Sequence, residues 1–325
     1  MARIFIDGFE SGGLDLWDTV GANASVIAAP AGMTGSYALK MLNAGTALIK
    51  NVSAGDEYYI SFLFKPTNTG AFSLVQFRFG ANVLIDIKRN ASFFLEVYRS
   101  TTLIATGTAV LATGTVHHVQ IHAKIADAGG IVQIKLADAL PLDVDFTGDT
   151  KPGTDTQINA VYLGVSPSGA TEGNWDNVVI DNAAWPGSTL IQAIKPTGAG
   201  ATTQWTPSAG ANWDCVDEVP ASDVDNVVVN ANDQVDTYST GNLTGSIGSV
   251  VCVQVQARSV KEGAATPQNL ALVVRPVATD RPSADLAVPS TARSLYNLWM
   301  TNPDTAVAWT ESGVNGMEIG IKSRA

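Results

Sequence analysis

Apolar and polar residues alternate along most of this chain with a period of two, in short runs broken by Gly, Asn, Asp, Pro and Thr. Residues 57–65 place Tyr58, Ile60, Phe62 and Phe64 on one face. Residues 73–79 place Val75, Phe77 and Phe79 opposite Gln76 and Arg78. Residues 92–98 group Phe93, Leu95 and Val97 opposite Glu96. Residues 116–125 group Val119, Ile121, Ala123 and Ile125 opposite His118, Gln120, His122 and Lys124. Residues 131–136, 161–165 and 177–181 continue the pattern. A period of two marks half-buried antiparallel strands. Many short strands between turn residues predict a sandwich or barrel.

The texture changes after residues 182–200, where Pro186, Gly187, Pro196, Gly198 and Gly200 surround one short apolar stretch, Thr189 to Ile194, that reads as a strand. Beyond it aromatics thin out and valine-rich strands follow at 227–229, 250–255 and 270–274. A short helical turn is expected near Thr310 to Asn315. The predicted organisation is therefore a domain over 1–187, a linker over 188–200 and a smaller β domain over 201–325, within the length that two domains need.

Composition narrows the partners. Of 325 residues only 15% are charged, and the net charge is −11. An acidic, charge-poor chain is a poor match for nucleic acid. No apolar run reaches the length of a membrane span, and the opening residues read as a strand, not as a secretory signal. The two halves carry similar charge, −5 over residues 1–195 and −6 over 196–325. Attachment to a partner is thus expected to rest on shape and apolar contact, with modest salt dependence. Cys215 and Cys252 are too few for a metal motif. They are either two thiols or one bond.

Three stretches resemble the concanavalin A-like (laminin-G-like) jelly-roll domains of tailed-bacteriophage virion proteins. They are Asp7-Gly8-Phe9-Glu10-Ser11-Gly12-Gly13-Leu14-Asp15-Leu16-Trp17, then Gly114 to Ile121 with the hairpin into Val132 to Lys135, then Asn174 to Asp181. The second half, with Thr203 to Gly210, Cys215 to Pro220, Thr301-Asn302-Pro303 and Ala308-Trp309-Thr310, is similar to a β-rich C-terminal domain of tailed-phage structural proteins. The resemblance implies an N-terminal jelly-roll sandwich followed by a smaller C-terminal β-sandwich. It also implies a non-enzymatic component on the outside of a phage particle (tail, fibre or head decoration), assembled in the host cytoplasm. Expected partners are other virion proteins, further copies of the chain in a trimer, and a host-surface glycan. A free carbohydrate-binding module and a glycan-cleaving enzyme are the alternatives.

Candidate sites are sparse. Asp7 and Glu10 with Asp176 and Asp181, at the two ends of the first domain, resemble the carboxylates that hold a structural Ca²⁺ in jelly-roll carbohydrate-binding families. Their other reading is turn capping. No other cofactor is implied. His118 and His122 face the same way about 13 Å apart, too far for one ion. They read as exposed strand-face residues, or as a row with Gln120 and Lys124 that bonds a partner or glycan. Trp175, Trp185, Trp205, Trp213 and Trp309 sit near predicted loops, where they would meet a ligand, an interface or a core. Asp214, Asp217 and Glu218 beside Trp213 could suggest a glycosidase pair, but no strand carries alternating acids, and a solvated loop is the simpler reading. There is no Gly-x-Ser-x-Gly and no phosphate loop.

Overall fold

The computed structural model describes residues 3–42, 47–138, 140–165, 172–263 and 267–325. The chain divides into two compact units, 1–191 and 192–325.

The strands of the first unit are β1 (Arg3–Asp7), β2 (Thr19–Val20), β3 (Ala24–Ala28), β4 (Tyr37–Leu42), β5 (Leu48–Gly55), β6 (Glu57–Pro66), β7 (Phe72–Phe79) and β8 (Asn82–Arg89). They continue as β9 (Leu95–Arg99), β10 (Thr102–Thr106), β11 (His117–Lys124), β12 (Gly130–Leu136), β13 (Val144–Gly148), β14 (Ile158–Val165) and β15 (Glu172–Asp181). Among the described residues they form an eight-stranded sheet in the order β13-β12-β11-β6-β15-β4-β3, with β1 also on β15, and a seven-stranded sheet in the order β10-β9-β8-β7-β14-β5-β2. All pairs are antiparallel, and strands distant in sequence are neighbours, as in a jelly-roll sandwich.

The alternation read from sequence is what lets the two sheets close. Ile60, Phe62, Phe64, Val119, Ile121 and Val132 of one sheet, and Val75, Phe77, Ile85, Ile87, Val97 and Leu163 of the other, are fully buried. Ring contacts cross between the sheets: Phe64 of β6 meets Phe72 of β7 with centroids 5.5 Å apart, and Phe72 meets Trp175 of β15 at 6.3 Å. Each such residue withdraws apolar area worth about 25 cal/mol per Å². One run departs from its alternation. The strand expected over 92–98 starts only at Leu95, because the Asn90 side chain accepts the amides of Ser92 and Phe94 and bends the chain into a turn, with Phe93 at φ 75°.

The second unit contains β16 (Pro196–Thr203), β17 (Thr206–Pro207), β18 (Val227–Val228), β19 (Val235–Thr240), β20 (Val253–Ser259), β21 (Asn269–Arg275), β22 (Arg281–Pro282), β23 (Leu286–Ala287), β24 (Arg293–Trp299) and β25 (Glu318–Arg324), with one short helix, α1 (Glu311–Asn315). A six-stranded sheet, β16-β19-β25-β21-β22 with β23 on β21, faces the β20–β24 ribbon. Between them lie Val253, Val255, Leu270, Leu272, Val274, Trp309, Val314 and Met317. This is a small sandwich, so the all-β, two-sandwich architecture read from the sequence is the architecture of the chain. The helix sits where the sequence placed it, and the Thr310 hydroxyl accepts the Gly313 amide as its N-cap.

The join between the halves differs from expectation. Residues 189–194 form no strand, and residues 196–200, read as linker, are the first part of β16. Gly198 and Gly200 lie in this strand, and a Cβ at Gly200 would meet Thr237 backbone at 2.5 Å. Small residues there mark a close strand approach that composition alone reads as a linker. Cys215 is buried, Cys252 half-buried, and both are free thiols. Among the described residues no helix is long and apolar enough to cross a membrane.

Candidate functional site

The four carboxylates read as a cation site fold into the first unit at β1 and β15, which pair antiparallel. Each is occupied by its own chain. Asp7 accepts the Phe9 amide at 2.7 Å and the Trp17 indole N–H at 2.8 Å. Glu10 accepts the amides of Ser36 and Tyr37. Asp176 accepts the Asn177 amide at 2.6 Å and both the amide and hydroxyl of Thr34 at 3.1 Å. Asp181 accepts the amides of Ala183 and Ala184, starting the segment that leaves β15. A bulge in the β15–β6 register between Asp176 and Val179 puts Asn177 at φ 49°. The Asn177 amide then bridges the Thr34 hydroxyl and the Ile191 backbone. Among the described residues no three His, Cys, Asp or Glu side chains come together as metal ligands.

Two of these acids are nonetheless electrostatically unusual. Burial pushes the Asp7 carboxyl up to about 7 against the pull of its two hydrogen bonds, with Asp176 adding repulsion. Burial likewise pushes Asp176 up to about 6, with Glu10 nearby. A raised folded-state value favours the protonated form, so this stabilisation is complete at low pH and is lost as pH rises through about 6 to 7. His117 and His118 are lowered by burial and act the other way, but their contribution is complete above the ordinary histidine value of 6.5. The urea midpoint of the first unit is therefore expected to fall as pH rises from about 6.5 through 7 and to level off above that. Asp7→Asn keeps the Phe9 bond and gives up the Trp17 bond. It should lower the midpoint overall and flatten that slope, as followed by hydrogen exchange of β1 and β15 in urea. An unchanged slope would remove Asp7 as its source.

The histidine row is not exposed, which corrects the sequence reading. Residues 182–191 cross the outer face of the eight-stranded sheet as a strap. His118 lies between the hydroxyls of Ser61 at 2.7 Å and Ser188 at 3.0 Å. Gln120 accepts the Gly187 amide and donates to Ala137 and Asp138. Arg3 donates to the Pro186 carbonyl at 2.7 Å. His122 is 5% exposed, hydrogen-bonded to Glu57 and Gln133, stacked on Tyr59 at 4.2 Å and met edge-on by Trp185. His118 and Gln120 hydrogen-bond the chain's own strap, whereas His122 bonds Glu57 and Gln133 on the sheet and meets the strap through the Trp185 ring. Strand alternation identifies a solvent-side face but carries no information about what later covers it.

The tryptophans divide. Trp175 is in mid-strand on β15 rather than near a loop, 2% exposed and 4.9 Å from Phe64. Trp309 is 3% exposed, and its indole donates to the Trp299 carbonyl. Neither can meet a ligand. Trp185 belongs to the strap, with Lys135 over its ring at 4.1 Å. Trp205 is half-buried against the second core and donates to Gln234. Trp213 stands half-buried in a short 3₁₀ turn, Asn212–Cys215. Of the acids beside it, Asp217 pairs with Lys195 and Glu218 faces Asp225.

The solvent-side face of the seven-stranded sheet holds a group that the sequence reading passed over. Register places Tyr162 (β14), Gln76 (β7), Asp86 (β8) and Tyr98 (β9) in one row across four adjacent strands. Asp86 accepts the Ser73 hydroxyl at 2.5 Å and the Gln76 amide at 2.8 Å, with Lys88 at 3.5 Å. The Gln76 carbonyl accepts two bonds from the Arg78 guanidinium. Arg78 lies over the Tyr162 ring and Lys88 over the Tyr98 ring, each at 4.1 Å. Tyr98 donates to Glu96 at 2.8 Å. Asp86 is 4% exposed, and its burial raises the carboxyl above its ordinary range. Gln76 and Arg78 were legible as a polar face. Their meeting with Asp86 and the two tyrosines depends on cross-strand register.

No protein-family model matches the chain, and no curated protein does. Solved structures similar to it include the cellulose induced protein Cip1, at 15% identity and TM-score 0.45, over 57% of this chain and 100% of that one. A sialidase follows at 12% identity and TM-score 0.41, over 56% of this chain. A Trypanosoma rangeli sialidase mutant displaying trans-sialidase activity is similar at 14% identity and TM-score 0.36, over 48% of this chain. This chain spans 18% and 27% of the length of those two sialidases. Likeness at this level says nothing about ligand or activity.

Proposed function

We propose that this chain is a non-enzymatic structural component on the exterior of a tailed-phage particle. In this reading the first sandwich is displayed for surface binding and the second anchors it. One observation carries the reading. Of the three stretches that resemble phage jelly-roll domains, separated by about a hundred residues and by forty, the second and third lie in one sheet, and the first is the loop that follows β1, whose last residue is Asp7, in that same sheet. β1 pairs with β15, and the β11–β12 hairpin joins β15 through β6. A resemblance scattered along the chain thus converges on one structural block. The carboxylates of that block serve as acceptors for backbone amides, a use that fits a scaffold better than a catalyst. In this proposal copies of the chain assemble as a trimer, one of the closed symmetries that homo-oligomers adopt. They dock by shape and apolar contact on other virion proteins.

The test is to purify particles from cells that express this chain. Its peptides should appear in stoichiometric amounts by mass spectrometry. A reconstruction should place three copies about a threefold axis on the outer surface. Expression of the chain without its presence in particles would overturn the reading and leave a free carbohydrate-binding protein as the alternative.

A further inference from the structure

We infer that the strap carries a self-cleaving peptide bond, Gly187–Ser188, at which the Ser188 hydroxyl attacks the carbonyl of the residue before it with His118 as its base. This is a single intramolecular event. It goes beyond the structural role proposed above and does not depend on it.

The geometry closes a circuit around one bond. Ser188 Oγ lies 3.0 Å from His118 Nδ1, within reach for proton transfer. The other ring nitrogen, Nε2, lies 2.7 Å from Ser61 Oγ, and Ser61 donates to the Gly187 carbonyl oxygen at 3.4 Å. With the imidazole proton on Nε2, every donor has its acceptor. The Ser188 hydroxyl donates to Nδ1, Nε2–H donates to Ser61, and Ser61 donates to the carbonyl under attack. The nucleophile thus has a base, the base is oriented by a third group, and that group faces the oxygen on which charge develops. His122, the other histidine of the row, bonds Glu57 and Gln133 and has no such pair of hydroxyls. The bond is also held on its flanks. Gln120 accepts the Gly187 amide at 3.0 Å, and Arg3 donates to the Pro186 carbonyl at 2.7 Å. Asp138 accepts from the amide and the hydroxyl of Ser188, so a second acceptor flanks the nucleophile and fixes the leaving nitrogen. Burial lowers the affinity of His118 for a proton, which keeps the ring neutral and able to serve as a base.

The step balances with water alone. A bond forms between Ser188 Oγ and the Gly187 carbonyl carbon as the hydroxyl proton passes to His118 Nδ1. The Gly187–Ser188 C–N bond then breaks, and His118 returns the proton to the leaving nitrogen. The amide has become an ester with a free amine on Ser188. Water adds to the ester, frees a Gly187 carboxylate and restores the Ser188 hydroxyl. Ser188 is exposed, and a Cβ built at Gly187 would meet nothing within 4 Å, so water has room to approach. The cut falls between β15 and β16 and breaks no described strand. It leaves every strand of the first unit on residues 1–187 and every strand of the second on residues 188–325.

The test follows the purified full chain by intact-mass spectrometry during incubation at neutral pH. Fragments 1–187 and 188–325 should accumulate, with Ser188 as the new N-terminus. Neutral hydroxylamine, which captures an ester, should speed the cut and leave a hydroxamate on Gly187. The same chain unfolded in urea should stay intact, because only the folded sheet brings His118 and Ser61 to the strap. Ser188→Ala should abolish the cut. His118→Ala should slow it by ~10²-fold, the scale of a general base, and Ser61→Ala by ~10²-fold, the scale of one oxyanion donor. Hydrogen exchange of β6 and β11 checks that each variant keeps the sheet. A wild-type mass that stays unchanged even with hydroxylamine would overturn the inference without recourse to any variant. So would a cut at this bond that persists in Ser188→Ala, or a cut elsewhere in the strap, since each points to an outside protease. Detection in particles decides the virion reading separately.

Discussion

Asp236→Ala is expected to destabilise the second unit by about 3–5 kcal/mol, the scale for removing one partner from a buried charged network. Asp236 is fully buried on β19 and accepts four hydrogen bonds. They come from the Gln204 amide at 2.5 Å, the Trp205 amide at 2.8 Å, the Asn212 side chain at 2.5 Å and the Tyr238 hydroxyl at 3.1 Å. One carboxylate thereby fixes the end of β16, the 3₁₀ turn and its own strand. Burial, with the Asp236 carboxylate as its neighbour, holds the Tyr238 hydroxyl well above the ordinary tyrosine range. Alanine leaves several donors without acceptors in a place water does not reach, each costing about 1–3 kcal/mol before relaxation. Asparagine keeps one acceptor oxygen for the two amides and turns a donor toward Asn212, so Asp236→Asn should fall between. Urea unfolding read by hydrogen exchange of β19 and β25 measures this. A change below about 1 kcal/mol for the alanine variant would show that the donors find other partners.

A comparable loss is expected from Trp175→Ala in the first unit, about 3–5 kcal/mol as for other buried aromatic truncations. The indole fills the space between β6, β7 and β15, with Phe64 and Phe72 against it. It also sets its neighbours. A Cβ at Gly173 would meet the ring at 3.1 Å, and one at Gly164 at 3.4 Å. Among the described residues the indole nitrogen has no hydrogen-bond partner, so the expected loss is one of packing. Trp175→Phe should therefore recover a large part of it, which a hydrogen-bonding role would not allow. Equal destabilisation by phenylalanine and alanine in urea unfolding would reject the packing account.

These two residues differ in how far the sequence announces them. Trp175 sits in Asn174-Trp175-Asp176-Asn177, a stretch whose resemblance to a jelly-roll strand was visible. It lies just ahead of the alternating run 177–181, and the sequence placed it near a loop, whereas it stands in mid-strand. Asp236 carries no such signal. It lies in Val235-Asp236-Thr237-Tyr238, where a polar residue in a strand normally points outward. Its four donors come from residues 2 to 32 positions away. The Asp7 and Asp176 carboxylates show the intermediate case. Their residue types and places at the two ends of the domain were legible, and either a shared cation or turn capping was open from spacing alone. Their burial and their backbone donors follow from the β1–β15 register and the bulge at Asn177.

What the sequence determined by itself is the class of structure. Period-two alternation encodes which side of each strand faces a core, so the all-β architecture, the division into two halves and the turn capped by Thr310 all follow from neighbours within a few residues. What only the tertiary structure decided is what each outward face meets. The strap over His118 and His122, the hydrogen-bond hub at Asp236 and the row from Tyr162 to Tyr98 join residues that are far apart in the chain. Strand order and register create those meetings, and local pattern does not carry them. The physical reason is that burial periodicity is a local property, whereas the partner of a polar side chain is chosen by cross-strand pairing and by the path of covering segments.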